Sequence, residues 1–196
     1  MPSLSEAERR SALQLARTAV MEAVLRRKLP YQIPKEGMFA ERRGVFVTLH
    51  VAGHLQGCIG VVEPHEPLGE AIVRCAASAA LEDPRFAPMR AEQLDALGIE
   101  ISLLSSPAPI APEAIEIGRH GLLIELHSQR GLLLPQVAVE HHLSREQFLE
   151  ETCKKAHLRA QAWRDPESRL FGFTCEVFSE SSFSGKETQE GPGKPH

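Results

Sequence analysis

Two apolar segments that flank a glycine turn constrain the fold most. Val45–Val51 places an aliphatic residue at every second position, and Leu55–Val62 follows almost at once. Alternation with a period of two is typical of strands that bury one face. A three-residue turn centred on Gly53 makes the two apolar faces coincide and sets Thr48 opposite Cys58, whereas a two-residue turn opposes apolar and polar side chains. We therefore predict a hairpin with a three-residue turn.

The remaining periodicity predicts helices and strands without a regular βαβ order. Helices are predicted over 6–27, 67–83 and 144–155, with a short helical stretch near 91–97 and strands over 99–104, 122–126, 131–134 and 170–178. Tight turns between strands that alternate irregularly with helices predict an α+β fold, in which a mainly antiparallel sheet packs against helices. The glycines form no GxGxxG or GxxxxGK[ST] pattern, so no phosphate-binding loop is predicted.

Composition limits the classes of partner. The chain has 22 basic and 26 acidic residues and a net charge of -4, which argues against nucleic-acid binding. No segment approaches the roughly 20 apolar residues of a membrane span, so we expect no membrane contact and a cytoplasmic location. One domain is predicted over residues 1–180, with a disordered, polar C-terminal tail over 181–196.

Cys58 is the leading candidate for a catalytic residue. The sequence has four scattered cysteines without a CxxC pair, but only Cys58 lies between two close glycines, Gly57 and Gly60. Glycines inside a strand commonly mark the close approach of a ligand or another backbone. His50 lies diagonally across the predicted hairpin and is the expected base. In the competing interpretation, Cys58 is a small buried side chain and the glycines allow a helix to pack on the sheet.

Other candidates lie outside the hairpin. Arg85 follows a proline that ends a helix and is expected to bind an anionic ligand or to form a structural salt bridge with Asp83 or Glu100. His120 is either a second acid–base residue or a turn residue, and Gln136 either donates to a ligand or bonds to backbone. The histidines lack metal-ligand spacing such as HExxH, so no metal site is predicted, and no pattern names a cofactor.

A series of motifs resembles the AMMECR domain family, whose microbial members include AmmeMemoRadiSam system protein A. The motifs are LQGCIG at 55–60, DPRF at 83–86, EISLL at 100–104, His120-Gly121, LLLPQVA at 132–138 and CKKA at 153–156, within a match over about 13–180. The resemblance implies an α+β fold with a larger body and a smaller lobe. It also implies an enzyme or modification factor that works with a Memo-type protein and a radical-SAM enzyme.

The sequence departs from the family pattern at two positions. Gln56 replaces the arginine of the family signature LRGCIG, so the positive charge beside the cysteine must come from elsewhere, for example from Arg85. His157 stands where the signature has glycine. Two hypotheses follow: Cys58 is a nucleophilic or redox thiol with His50 or His120 as base, or the face around Gln56, Gly57, Cys58 and Gly60 is a docking surface without turnover.

Overall fold

The computed structural model describes residues 4–28 and 32–184, which divide into two compact units. The first unit comprises the described residues up to Leu103 together with those from Val177 onward, and the second is Leu104–Glu176. Helices and mainly antiparallel strands alternate irregularly in both units, which confirms the α+β prediction. Of the predicted tail, only α5 (Ser181–Ser184) is described, and 185–196 lie outside the described residues.

The first unit is a small sheet with two helices on one side. Its elements are α1 (Glu6–Leu25), β1 (Val45–Val51), β2 (His54–Val61), α2 (Leu68–Leu81) and β3 (Leu97–Leu104). Strand β1 pairs antiparallel with β2 and with β3, and α2 packs against β1, β2 and α1. The alternating side chains Val45, Val47 and Leu49 are fully buried beneath α2. Burial of this aliphatic face is the main stabilising contribution of the unit.

The β1–β2 turn differs from the predicted one. Thr48 pairs with Cys58 as expected, but the turn contains only Ala52 and Gly53, whose φ angles of 51° and 81° are those required by a type I′ turn. The prediction of a three-residue turn was wrong because β2 contains a bulge at Gln56, between the pairs formed by Leu49 and His50. The extra residue shifts the pairing by one position. From Leu49 back to Val45 the strands pair as predicted, whereas Val51, on the turn side of the bulge, pairs with His54 instead of Leu55.

Gly57 lies at the closest approach of α2 to the sheet. A Cβ atom at this position would be 2.0 Å from the backbone oxygen of Ala79. Because the obstacle is helix backbone, no side-chain rotation could relieve the clash. The packing interpretation is therefore correct for Gly57: its missing side chain allows the helix to cover the sheet.

The second unit is built around another antiparallel group of strands. Its elements are β4 (Ala108–Pro109), β5 (His120–Leu126), β6 (Gln129–Leu133), α3 (Pro135–Glu140), α4 (Arg145–Lys155) and the first part of β7 (Arg169–Ser179). Strand β5 pairs with β6 and β7, and β4 pairs with β7. Helix α4 begins at a capping box of Ser144 and Gln147 and packs against β5 and β6. Helix α3 and strand β4 were not predicted.

Helix α4 ends in an unusual residue. His157, just beyond the helix, has a φ of 59°, and the backbone N–H groups of His157 and Leu158 donate to the carbonyls of Lys154 and Cys153. This left-handed ending is normally occupied by glycine, which lacks the steric penalty. The glycine in the family signature thus has a conformational reason, and His157 adopts the same conformation at a cost of about 1 kcal/mol.

The end of β7 returns to the first unit through a charged contact. Arg17 donates to both carboxylate oxygens of Glu180, at 2.6 and 2.7 Å, and to the Leu97 carbonyl at 2.6 Å. The backbone of Ile99 donates to Glu180 Oε2 and accepts from the Glu180 N–H. Arg17 and Glu180 are only partly exposed, so this pair is less screened than a surface salt bridge.

Replacing Gly57 by alanine should destabilise the protein by about 3 kcal/mol, because α2 must move away from β2. Urea unfolding followed by circular dichroism measures the change. Gly98→Ala is the matched control, since a Cβ there meets nothing within 4 Å, and its effect should stay within about 0.5 kcal/mol. Equal losses in the two variants would contradict the proposed close approach.

Candidate functional site

Cys58 lies on β2 with its side chain on the face opposite α2. It is half-buried, and its sulfur accepts a hydrogen bond of 3.2 Å from Thr48 Oγ1, its cross-strand partner. Phe46 and His50 of β1 and Glu100 of β3 share this face, which we call the cysteine face. The residue is thus partly exposed, and its sulfur has a polar neighbour, two features of functional thiols.

The backbone of Cys58 forms hydrogen bonds with an ion pair, Asp83 and Arg85, in the loop after α2. Its N–H donates to Asp83 Oδ2 at 2.8 Å, and its carbonyl accepts from Arg85 Nη2 at 3.1 Å. Arg85 also donates to both oxygens of Asp83, at 3.0 and 2.7 Å, and its backbone N–H donates to Oδ1. We call this arrangement the Asp83–Arg85 clamp. The DPRF motif, which directly follows α2, thus supplies both residues of the clamp.

The clamp contains one buried and one exposed charge. The Asp83 side chain is 2% exposed, and that of Arg85 is 57% exposed. The Arg85 guanidinium lowers the pKa of Asp83 well below its usual range, against the opposing effect of burial, and the N–H groups of Cys58 and Arg85 help. The pKa of Arg85 is raised, and its hydrogen bonds to Asp83 are the largest cause. Burial lowers this pKa, and Cys58 raises it slightly. The guanidinium is thus held at the backbone of the residue that carries the thiol.

The predicted ligand-binding residues near Cys58 have mixed surroundings. Gln56, at the bulge, donates to the Ala87 carbonyl at 2.9 Å and so ties β2 to the loop after the clamp. A Cβ at Gly60 would be 2.2 Å from the Phe46 ring, so this ring occupies the space that the sequence suggested was open. Gly57 faces α2. Of the three, only Gln56 presents polar side-chain atoms near the cysteine.

His50 lies in the first unit, but beside a different feature. The bulge pairs it with Leu55, and on its other side it pairs with Gly98. It lines a cavity of about 430 Å³ together with Gly98 and Glu100. Within the described residues the thiol of Cys58 has Thr48, and not His50, as its hydrogen-bonding side chain. The role of His50 as base stays a prediction.

His120 and Gln136 belong to the second unit. His120 begins β5, and its Nδ1 accepts a hydrogen bond of 3.0 Å from the backbone N–H of Glu116, which orients the ring and agrees with the turn interpretation. Gln136, in the first turn of α3, points its Nε2 toward the sulfur of Cys175 at 3.9 Å. Its Oε1 is buried and accepts no hydrogen bond from any described residue. The role of Gln136 in ligand binding stays a prediction.

The other cysteines provide a contrast to Cys58. Cys75 and Cys153 are fully buried, and burial raises the pKa of both thiols. Cys175 is half-buried, like Cys58. All four are free thiols. Across residues 4–28 and 32–184, no group of three histidine, cysteine, aspartate or glutamate residues could hold a metal ion. The same residues contain no helix long and apolar enough to cross a membrane.

Asp83 and Thr48 contact Cys58 but were not predicted as site residues. Asp83 appeared in the prediction only as a partner for Arg85, and Thr48 only as a register marker. The sequence does contain an indication for Asp83. An acidic residue before a proline at a helix end has a carboxylate that can accept hydrogen bonds from a nearby strand. The position of that strand is a tertiary contact, which local pattern does not supply.

The fold and this site define a two-unit α+β protein with a partly accessible cysteine held by an acid–base clamp. A family model described as AMMECR1 matches residues 13–178. The chain belongs to the AMMECR1 family.

Similar proteins come from archaea. A protein from Methanothermobacter thermautotrophicus is 43% identical over 187 residues, which cover 90% of this chain and 96% of the relative. Protein TK0174 from Thermococcus kodakarensis is 42% identical over 182 residues, which cover 86% and 88%. The crystal structure of uncharacterized protein PH0010 from Pyrococcus horikoshii matches with a TM-score of 0.75 and 38% identity, covering 90% of this chain and 93% of that chain.

Asp83→Asn should lower the free energy of unfolding by about 3 kcal/mol at pH 7, because a buried charged acceptor is lost. The folded pKa of Asp83 lies below its unfolded value of about 3.9. Its contribution is therefore complete above that value and declines as the pH falls below about 4. Urea unfolding of both proteins between pH 7 and pH 2 should show their difference shrinking in acid.

The neighbouring Glu82 provides the control. It is exposed, and its carboxylate accepts a hydrogen bond of 2.7 Å from the Ser78 hydroxyl. Glu82→Gln should change stability by no more than about 0.5 kcal/mol at any of these pH values. A difference between wild type and Asp83→Asn that stays constant down to pH 2 would show that the charge of Asp83 does not support the fold.

Proposed function

We propose that this AMMECR1-family protein is a cysteine-dependent enzyme or modification factor, with Cys58 as its nucleophilic or redox thiol. The observation that supports the proposal is the pair of side chains that contact Cys58, one at its sulfur and one at its carbonyl. Thr48 donates its hydroxyl hydrogen to Sγ at 3.2 Å, and the Arg85 guanidinium is fixed at the same residue by Asp83. A hydroxyl donor and a nearby cation both stabilise negative charge on sulfur.

The departure at position 56 leaves Arg85 as the cation that contacts Cys58. Family members with LRGCIG carry a positive charge beside the cysteine, and Gln56 removes it here. Arg85, from the loop after α2, places a guanidinium on the Cys58 carbonyl, at 3.1 Å. Its orientation is fixed by several hydrogen bonds to Asp83, so the cation is preorganised rather than mobile. Cys58 therefore has one cationic neighbour, Arg85 of the DPRF motif, although Gln56 is neutral.

The partners belong to the same proposal. The resemblance to AmmeMemoRadiSam system protein A supports a Memo-type protein and a radical-SAM enzyme as partners of this chain. A thiol that is only half-exposed suits a reaction in which the second protein presents the group to be modified. The role of acid or base would then fall to His50, His120 or the partner, and a cytoplasmic location follows from the same association.

Site-resolved alkylation tests the nucleophile. With limiting iodoacetamide at pH 7, Cys58 should react at least about fivefold faster than Cys175, which is also half-buried but lacks the clamp. Cys75 and Cys153 should stay unmodified in the folded protein. Mass spectrometry of tryptic peptides gives the rate at each cysteine, and Cys58→Ser confirms the assignment.

The variant Thr48→Val isolates the hydroxyl group. Removing the donor should slow alkylation of Cys58 about fivefold, equivalent to one hydrogen bond, and leave Cys175 unchanged. Circular dichroism verifies that the variant is folded. If Cys58 reacts no faster than Cys175 in the wild-type protein, the proposed nucleophile is abandoned.

A docking surface is the second candidate, and the cysteine face favours it. Phe46, Thr48, His50, Cys58 and Glu100 are all half-buried rather than buried, so the face offers contact area without chemistry. In a pull-down with a Memo-type protein, Cys58→Ser should keep the partner if the face only docks.

Charge reversal at the centre of the face completes that test. Glu100→Arg should abolish capture, whereas Glu92→Arg, at an exposed carboxylate in the 3₁₀ helix Ala91–Ala96, should not. Loss of the partner in both arginine variants, or in neither, would remove the docking hypothesis.

A further inference from the structure

The second unit contains a cavity that the proposed function does not use. It has a volume of about 610 Å³ and lies where the end of β6, helix α3 and the last turns of α4 meet. Leu133, Val137 and Leu143 form its apolar wall, and Glu151, Lys154 and Lys155 lie on one side. We call it the α3–α4 pocket. Its volume is within the range of small-molecule sites.

The apolar wall is incompletely covered. Leu133, Val137 and Leu143 pack against the buried cluster of Leu122, Phe148 and Leu149, yet each is only partly buried. The core of the unit therefore continues to the surface at this point and leaves aliphatic area in contact with water. A ligand that covered this wall would gain about 25 cal/mol for each Å² of apolar surface removed from water.

The charged side of the pocket is net positive. Lys154 forms an ion pair with Glu151 at 2.6 Å, which neutralises both groups. Lys155 also lines the pocket, and no described residue provides it with a side-chain ion pair or hydrogen bond. Its ammonium stabilises the C-terminal end of α4 through the helix dipole, but that role leaves its hydrogen-bond donors free. An anion is the complement of this side.

We propose that the α3–α4 pocket binds a small amphiphilic carboxylate, with an aliphatic or aromatic body against Leu133, Val137 and Leu143 and the carboxylate at Lys155. One uncompensated ammonium matches a single negative charge rather than a polyphosphate. His141, also in the lining, offers a second donor at the rim. The site lies wholly within the second unit and does not depend on the thiol chemistry proposed for Cys58.

An NMR titration of the full chain with octanoate tests the site. Octanoate should give saturable shifts in the amide signals of Val137, Leu143 and Lys155, while the signals around Cys58 stay in place. The neutral analogue 1-octanol should bind about threefold more weakly, because it loses the charge contact but keeps the apolar one. No saturable shift up to about 5 mM octanoate, or shifts centred elsewhere, would overturn the proposal.

Three variants separate the contributions. Lys155→Gln should weaken octanoate about threefold and leave 1-octanol unchanged. Val137→Ala should weaken both ligands about tenfold, since two methyl groups of apolar contact are lost. Lys28→Gln, an exposed lysine beyond the end of α1, is the matched control and should change neither affinity.

A gain in affinity excludes partial unfolding as an explanation. Glu151→Gln releases Lys154 from its ion pair and should strengthen octanoate binding about twofold without affecting 1-octanol. Equal affinities of octanoate and 1-octanol in all these variants would show an apolar cavity without anion preference, and the carboxylate assignment would fall.

Discussion

The buried carboxylate of Asp83 is the contact on which the cysteine site depends. It accepts from the backbone of Cys58, from the backbone of Arg85 and from the Arg85 guanidinium, which in turn donates to the Cys58 carbonyl. Strand β2 is at the edge of the sheet, and both backbone groups of Cys58 form hydrogen bonds with these two side chains. Asp83 and Arg85 occupy the place of a neighbouring strand and thereby fix which face carries the sulfur and its pairing with Thr48.

The parts of the fold that sequence predicted are those set by local patterns. Alternating aliphatic residues located β1, and the helical pattern located α1 and α4, whose N-cap residues are Ser5 and Ser144. The bulge at Gln56 was not predicted, because one extra residue in β2 leaves the apolar pattern of both strands recognisable and changes only their pairing register. Helix α3 was not predicted, because six residues that begin with a proline are too few to show helical periodicity.

The candidate site could be predicted only in part, for a related reason. The glycines beside Cys58 were informative, but one accommodates the backbone at Ala79 and the other the ring of Phe46, and sequence does not distinguish these causes from an open hollow. The side chains that contact Cys58 include those of Thr48 and Arg85, which are 10 and 27 residues away in the chain. His157, by contrast, was visible as a departure from the family signature, and its left-handed backbone gives that departure a conformational meaning.

The first unit is discontinuous in the sequence, since its final strand segment and Glu180 follow the whole of the second unit. Arg17, near the N-terminus, obtains its carboxylate partner 163 residues later. During translation, α1 and the β1–β2 hairpin leave the ribosome long before the residues that complete their unit. The first unit therefore finishes folding only after synthesis of the second, and a fragment that stops at Leu103 lacks a structural part rather than a mere extension.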